Sequence, residues 1–105
     1  VPVSLALTRL GLPQRDLLIY GNQPHQHMLG RRIVTSINSD ALLEVPRWDF
    51  HWQQLYFYSN PGGISLPKDT KVTFTCTWDN PGTSPISWGE STSDEMCITY
   101  FYVTP

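Results

Sequence analysis

Lys71-Val72-Thr73-Phe74-Thr75-Cys76-Thr77-Trp78 alternates polar and apolar side chains without interruption. Successive side chains of an extended chain point to opposite faces, so Val72, Phe74, Cys76 and Trp78 share one face and Lys71, Thr73, Thr75 and Thr77 the other. This is the pattern of a strand with one face on a core and one in water. Turn chemistry flanks it, with Asn60-Pro61-Gly62-Gly63 upstream and Asp79-Asn80-Pro81-Gly82 immediately after. Further out, Val3 to Thr8, Leu17 to Tyr20, His25 to Ile37, Leu42 to Val45, Trp48 to Tyr58, Ile86 to Trp88 and Cys97 to Val103 read as strands or strand pairs. Gly11-Leu12-Pro13 and Asn38-Ser39-Asp40 read as turns, and no stretch carries a helical period. Short strands at this spacing predict an all-β antiparallel sandwich or jelly roll.

The chain has 105 residues, room for a single domain over 1–105 with one core whose burial is incomplete enough for a covalent staple to matter. Nine prolines, seven glycines and many β-branched and aromatic residues agree with the strand reading. The formal charge is −2, and the seven basic residues are scattered apart from Arg31-Arg32, which reads as solvated surface. That distribution argues against nucleic acid and against an anionic membrane as partners. Apolar runs are only a few residues long, too short to span a bilayer, and the residues from Val1 lack the pattern of a secretory signal.

In the last strand Cys97, Thr99, Phe101 and Val103 form one face, and Met96, Ile98, Tyr100 and Tyr102 the other. Two cysteines are present. A Cys76–Cys97 disulfide would close a loop of about 20 residues, worth about 3 kcal/mol in the chain-entropy model. Two buried free thiols in a reducing compartment are the alternative, and the wide spacing disfavours a two-cysteine metal loop. If Cys97 reaches Cys76, Met96 faces away from that core layer.

His25 and His27 are one residue apart, which in a strand sets both imidazoles on one face, close enough to share a metal. H-x-H is equally a surface or packing pattern and needs a third ligand to become a site. His51, Met28, Met96 and the carboxylates are the candidates. Met28 should point away from His27 in a regular strand, whereas Met96 lies on a distant strand that an antiparallel sheet could bring alongside. Two imidazoles with a soft thioether suit copper, Cu(I) above all.

Pro24-His25-Gln26-His27-Met28-Leu29-Gly30-Arg31, Trp48-Asp49-Phe50-His51-Trp52-Gln53-Gln54 and Trp88-Gly89-Glu90-Ser91-Thr92-Ser93-Asp94-Glu95-Met96-Cys97 occur in this order. Together they resemble the C-terminal domain of copper type II ascorbate-dependent monooxygenases, nearest to bacterial members, with the peptidylglycine and dopamine hydroxylases as relatives. The likeness covers about Leu17 to Val103 and leaves residues 1–14 without a clear match. It implies a jelly-roll β-sandwich, and it implies that His25, His27 and Met96 hold one copper ion, Cu(I) or Cu(II), that works on O2 or peroxide. Ascorbate is the implied reductant, Cys76 and Cys97 the family's disulfide pair, and an extracellular or periplasmic compartment the implied location.

Family enzymes place a second, histidine-bound copper in a preceding domain. Here His51 is the one histidine left over, which is too few to rebuild that centre. On a strand it would share a face with Asp49 and Gln53 and read as polar surface. The chain is therefore expected to be a fragment, an engineered minimal domain or a stand-alone module, with weak or incomplete monooxygenase activity, or else a copper carrier without catalysis. Peptidylglycine hydroxylases hold the substrate carboxylate with an arginine, an asparagine and a tyrosine, at positions that are Gln23, Ile98 and Tyr100 here. Only the tyrosine matches, so Tyr100 and Gln23 are candidate substrate-side residues, and a peptide-glycine substrate loses its charge-assisted partner.

Overall fold

The computed structural model describes residues 1–104. A short helix, α1 (Val3–Arg9), is followed by strands β1 (Leu17–His25), β2 (Gly30–Ile37), β3 (Asp40–Val45), β4 (Tyr56–Phe57), β5 (Ile64–Leu66), β6 (Val72–Trp78) and β7 (Ile98–Thr104). They form two antiparallel sheets. In the first, β7 runs along one edge of β1 from Leu18↔Thr104 to His25↔Ile98, while β5 and then β4 share the other edge. In the second, β2 lies between β3 and β6.

The inner faces share one core, in which Val3, Leu7, Ile19, Leu66 and Val72 are buried and Leu17, Ile37, Leu42, Tyr58, Ile64 and Phe101 pack against them. The face predicted for β6 holds as far as Cys76: Val72 is buried, Phe74 and Cys76 are half-buried, and Thr73, Thr75 and Thr77 are exposed, whereas Trp78 at the strand end is exposed rather than in the core. The expected disulfide is present between Cys76 and Cys97, with Cα atoms 5.9 Å apart, and it joins the two sheets. A polar link also crosses between them. Asn22 of β1, fully buried, donates to Thr35 Oγ1 of β2 at 3.1 Å and to Thr99 Oγ1 at 2.9 Å, and accepts from Tyr58 Oη at 2.5 Å. Burial pushes the Tyr58 phenol up to about 12.

Four expectations need correction. Val3 to Thr8 is helix, not strand: Val3 and Leu7, four apart, are the buried pair, a spacing that period-two alternation of Val3, Leu5 and Leu7 imitates over so short a stretch. The span from His25 to Ile37 is broken at Gln26–Leu29, where Gln26 turns inward to full burial and donates from Nε2 to the Arg32 carbonyl at 3.1 Å. Its side chain lies where a Cβ at Gly30 would be, so the break requires glycine there. Trp48 to Tyr58 is mostly loop, because the Asp49 side chain accepts from His51 N and the Asp49 carbonyl from Trp52 N, closing a turn. Ile86 to Trp88 contributes a lone bridge, Trp88↔Glu95, while Ile64–Leu66 is a strand not anticipated. The Asn38-Ser39 turn is as expected, with both residues at positive φ between the paired Ile37 and Asp40.

Candidate metal centre

His25 is the last residue of β1 and stands opposite Ile98, and Gln23 stands opposite Tyr100. Directly paired residues project from the same face, so Gln23, His25, Ile98 and Tyr100 share the outer face of the first sheet, away from buried Asn22 and Pro24. His27 lies past the strand end, beyond inward-turned Gln26, and is 4% exposed. The two imidazoles are nevertheless neighbours, with ring centroids 5.0 Å apart at 81°. The closeness expected of H-x-H is present, although the end of the strand at His25 and the inward turn of Gln26, rather than strand alternation, accompany it.

Both rings are held by the same kind of contact. His25 Nδ1 donates to Gln53 Oε1 at 2.6 Å, and Gln53 Nε2 donates to the Phe50 carbonyl at 2.9 Å, which turns the amide oxygen toward the histidine. His27 Nδ1 donates to the Asp94 carbonyl at 2.9 Å. An oxygen acceptor places the proton on each Nδ1, so each Nε2 keeps its lone pair, the arrangement in which imidazoles serve as metal ligands. Trp48 and Phe50 flank the pair edge-on, at 6.5 Å from His25 and 5.9 Å from His27 respectively, and Trp48 Nε1 donates to the His27 carbonyl at 3.1 Å.

The segment that carries Met96 is tied to the same turn. Glu95, 8% exposed, accepts at Oε1 from His27 N (2.8 Å), Trp78 Nε1 (2.7 Å) and Met96 N (3.3 Å), and at Oε2 from Leu29 N (2.9 Å). The β1–β7 ladder ends at His25↔Ile98, and past it the Glu95 carboxylate links the backbones of His27 and Met96. Among the described residues, no three histidine, cysteine or carboxylate side chains come together in a way that could hold a metal ion. That separates His51 and the carboxylates from the pair. His51 is exposed, 5.7 Å from the Phe50 ring, and does not share a strand face with Asp49 and Gln53. Met28 is exposed in the turn. Met96, half-buried, follows Asp94 and Glu95, which contact His27 through the Asp94 carbonyl and the Glu95 carboxylate.

Sequence reasoning named the ligand candidates and missed what supports them. Gln53 and Trp48 lie in the quoted W-D-F-H-W-Q-Q run and Glu95 in D-E-M-C, but the donors that converge on Glu95, backbone N–H groups and the Trp78 indole, come from three separate segments and leave no local pattern.

Comparison with known proteins gives one consistent answer. The family model for the C-terminal domain of copper type II ascorbate-dependent monooxygenases matches residues 4–104, which brings in most of the 1–14 stretch that the motifs left unmatched. Tyramine beta-hydroxylase of Caenorhabditis briggsae is 35% identical over 100 residues, covering 90% of this chain and 17% of that protein. Dopamine beta-hydroxylases of Rattus norvegicus and Bos taurus are 25% and 27% identical over 104 residues, 93% of this chain and 16% and 17% of theirs. The chain thus spans about a sixth of the length of these relatives. No solved structure matches it significantly.

Proposed function

The chain belongs to the copper type II ascorbate-dependent monooxygenases, as their C-terminal domain, and from that premise we propose that His25, His27 and Met96 hold one copper ion. The observation that carries this reading is the pair of engaged Nδ1–H groups, on Gln53 and Asp94, which leaves two Nε2 lone pairs on neighbouring rings. Two imidazoles and a thioether suit Cu(I) and suit hard cations poorly. When bound, copper supplies one-electron chemistry toward O2 or peroxide, with ascorbate as reductant.

The protein's own part is positional. Gln53 and the Asp94 carbonyl fix the tautomer and aim of each ring, Trp48 and Phe50 shield one side from water, and the disulfide anchors the strand that follows Met96. Tyr100 and Gln23, paired on the face that carries His25, form the substrate side. Gln23 supplies no cation for a peptide carboxylate, and the names of the relatives support small aromatic amines as the substrate class. We read the two sheets as one jelly-roll domain, nearest the bacterial members on the wording of its motifs. The disulfide supports an oxidising compartment, extracellular or periplasmic.

A second reading, copper binding without catalysis, fits the same ligands. The three histidines leave His51 alone after the pair, so an electron-supplying histidine centre would have to come from chain outside these 105 residues. Titration with Cu(I) tests the site: one equivalent is expected, lost in His25→Ala/His27→Ala, and stoichiometric binding that survives both replacements overturns the assignment. Oxidation of ascorbate by the copper-loaded protein, with Met96→Leu as control, separates the readings. Turnover above free copper supports the enzyme, and none supports the carrier.

A further inference from the structure

Glu95 is a buried carboxylate without a cation. The ion pairs among the described residues are Arg31–Asp79 and Arg32–Glu44, and Glu95 is in neither. Removing a carboxylate from water costs several kcal/mol unless donors replace the lost hydration. Four N–H groups do so here, from His27, Leu29, Trp78 and Met96. They come from the turn after β1, the end of β6 and the lead into β7, places far apart in sequence. The residue's own backbone is fixed as well, with its N–H on the Ser87 carbonyl at 3.0 Å and its carbonyl accepting from Gly89 N at 3.1 Å.

An apolar side chain could fill this volume, but it could not accept from the backbone of His27 and of Met96 at once. Oε1 holds both. The antiparallel ladder has already ended at His25↔Ile98, so no sheet hydrogen bond fixes His27 against Met96, and the carboxylate takes over that task two residues further on. We infer that Glu95 is a positioning residue of the copper centre, setting the spacing between the His27 imidazole and the Met96 thioether through its bonds to both backbones. This rests on the His25, His27 and Met96 assignment.

Glutamine keeps the shape of Glu95, but with its oxygen at Oε1 its NH2 faces the Leu29 N–H and its neutral amide is a weaker acceptor for His27 and Met96, so Glu95→Gln loosens the bridge with little change in volume. The test is Cu(I) affinity by competition together with the sulfur contribution to the copper K-edge spectrum, for wild type, Met96→Leu, Glu95→Gln and Trp78→Phe. Glu95→Gln is expected to lower affinity about tenfold, as loss of a group supporting a ligand does, and to weaken the sulfur contribution while the imidazole contribution stays. Trp78→Phe removes one donor to Oε1 and is expected to lower affinity about threefold in the same sense. A role confined to fold stability would lower the melting temperature and leave the sulfur contribution intact. Wild-type affinity and a full sulfur contribution in a folded Glu95→Gln therefore overturn the inference alone. Should Glu95→Gln not fold, the same two readouts on Trp78→Phe decide, and wild-type values there overturn it. A wild-type protein without a sulfur contribution overturns the copper assignment, and this inference with it.

Discussion

Replacing both cysteines, Cys76→Ala/Cys97→Ala, removes the covalent link between the sheets without adding a polar group to their half-buried positions. The bridged residues are 21 apart in sequence, and a closed loop of that size restricts the unfolded chain by about 3 kcal/mol. Against a total of about 5–15 kcal/mol for a domain of this size, that is a fifth to more than half of the stability. The buried apolar core is small, comprising Val3, Leu7, Ile19, Ile33, Leu66 and Val72 among the described residues, so little else can compensate. Thermal unfolding is expected to shift down by roughly 12–24 °C, and urea unfolding to give the loss in free energy directly. The site should respond too, because Cys97 is the neighbour of Met96 and its anchor to β6. Cu(I) affinity measured where the variant is still folded is expected to fall. A stability loss under about 1 kcal/mol would refute the loop-closure reasoning, and wild-type Cu(I) affinity in the folded variant would refute the coupling to Met96.

Gln53→Leu removes the acceptor of His25 Nδ1–H and is expected to lower Cu(I) affinity about tenfold; nitrogen NMR of the imidazole should show a mixture of tautomers, and a single Nδ1–H form with unchanged affinity would count against the assigned role. Tyr58, pushed up to about 12 by burial, keeps its proton in the folded state after the unfolded chain has lost it. Its contribution is thus complete below about pH 10 and lost as pH rises toward about 12. Tyr58→Phe should flatten that alkaline decline, seen as urea midpoints at pH 9 and pH 11, and cost about 1 kcal/mol at neutral pH by leaving Asn22 Oδ1 without this donor. Gly30→Ala forces the buried Gln26 side chain to move and is expected to destabilise by about 1–3 kcal/mol; an unchanged melting temperature would mean the break after β1 tolerates a Cβ.

The strands legible in the sequence are those with one buried and one solvated face. β6 alternates cleanly as far as Cys76, and β7 shows the same division over Tyr100 to Tyr102, with Phe101 inside and Tyr100 and Tyr102 outside, though Val103 at its end is exposed. Elements defined by packing rather than alternation were not legible. Helix α1 is seven residues long, and its Val3–Leu7 spacing also fits a strand; what decides is the core it seals beside Ile19, Leu66 and Val72. The Trp48–Gln54 loop has strand-like composition, yet Asp49 closes a turn there and frees Gln53 to reach His25. The proposed ligands His25, His27 and Met96 stand out in the sequence by residue type and motif. Glu95 does not, because its role depends on backbone N–H groups of residues 27, 29 and 96, which no side-chain pattern encodes.

The central claim is tested most directly by a crystal structure of the Cu(I)-loaded protein with anomalous data collected across the copper edge. The account predicts one anomalous peak within bonding distance of His25 Nε2, His27 Nε2 and the Met96 sulfur, with both Nδ1 atoms still on Gln53 and Asp94. Copper on an Nδ1 atom, on His51, or on the two imidazoles with the Met96 sulfur turned away would contradict it.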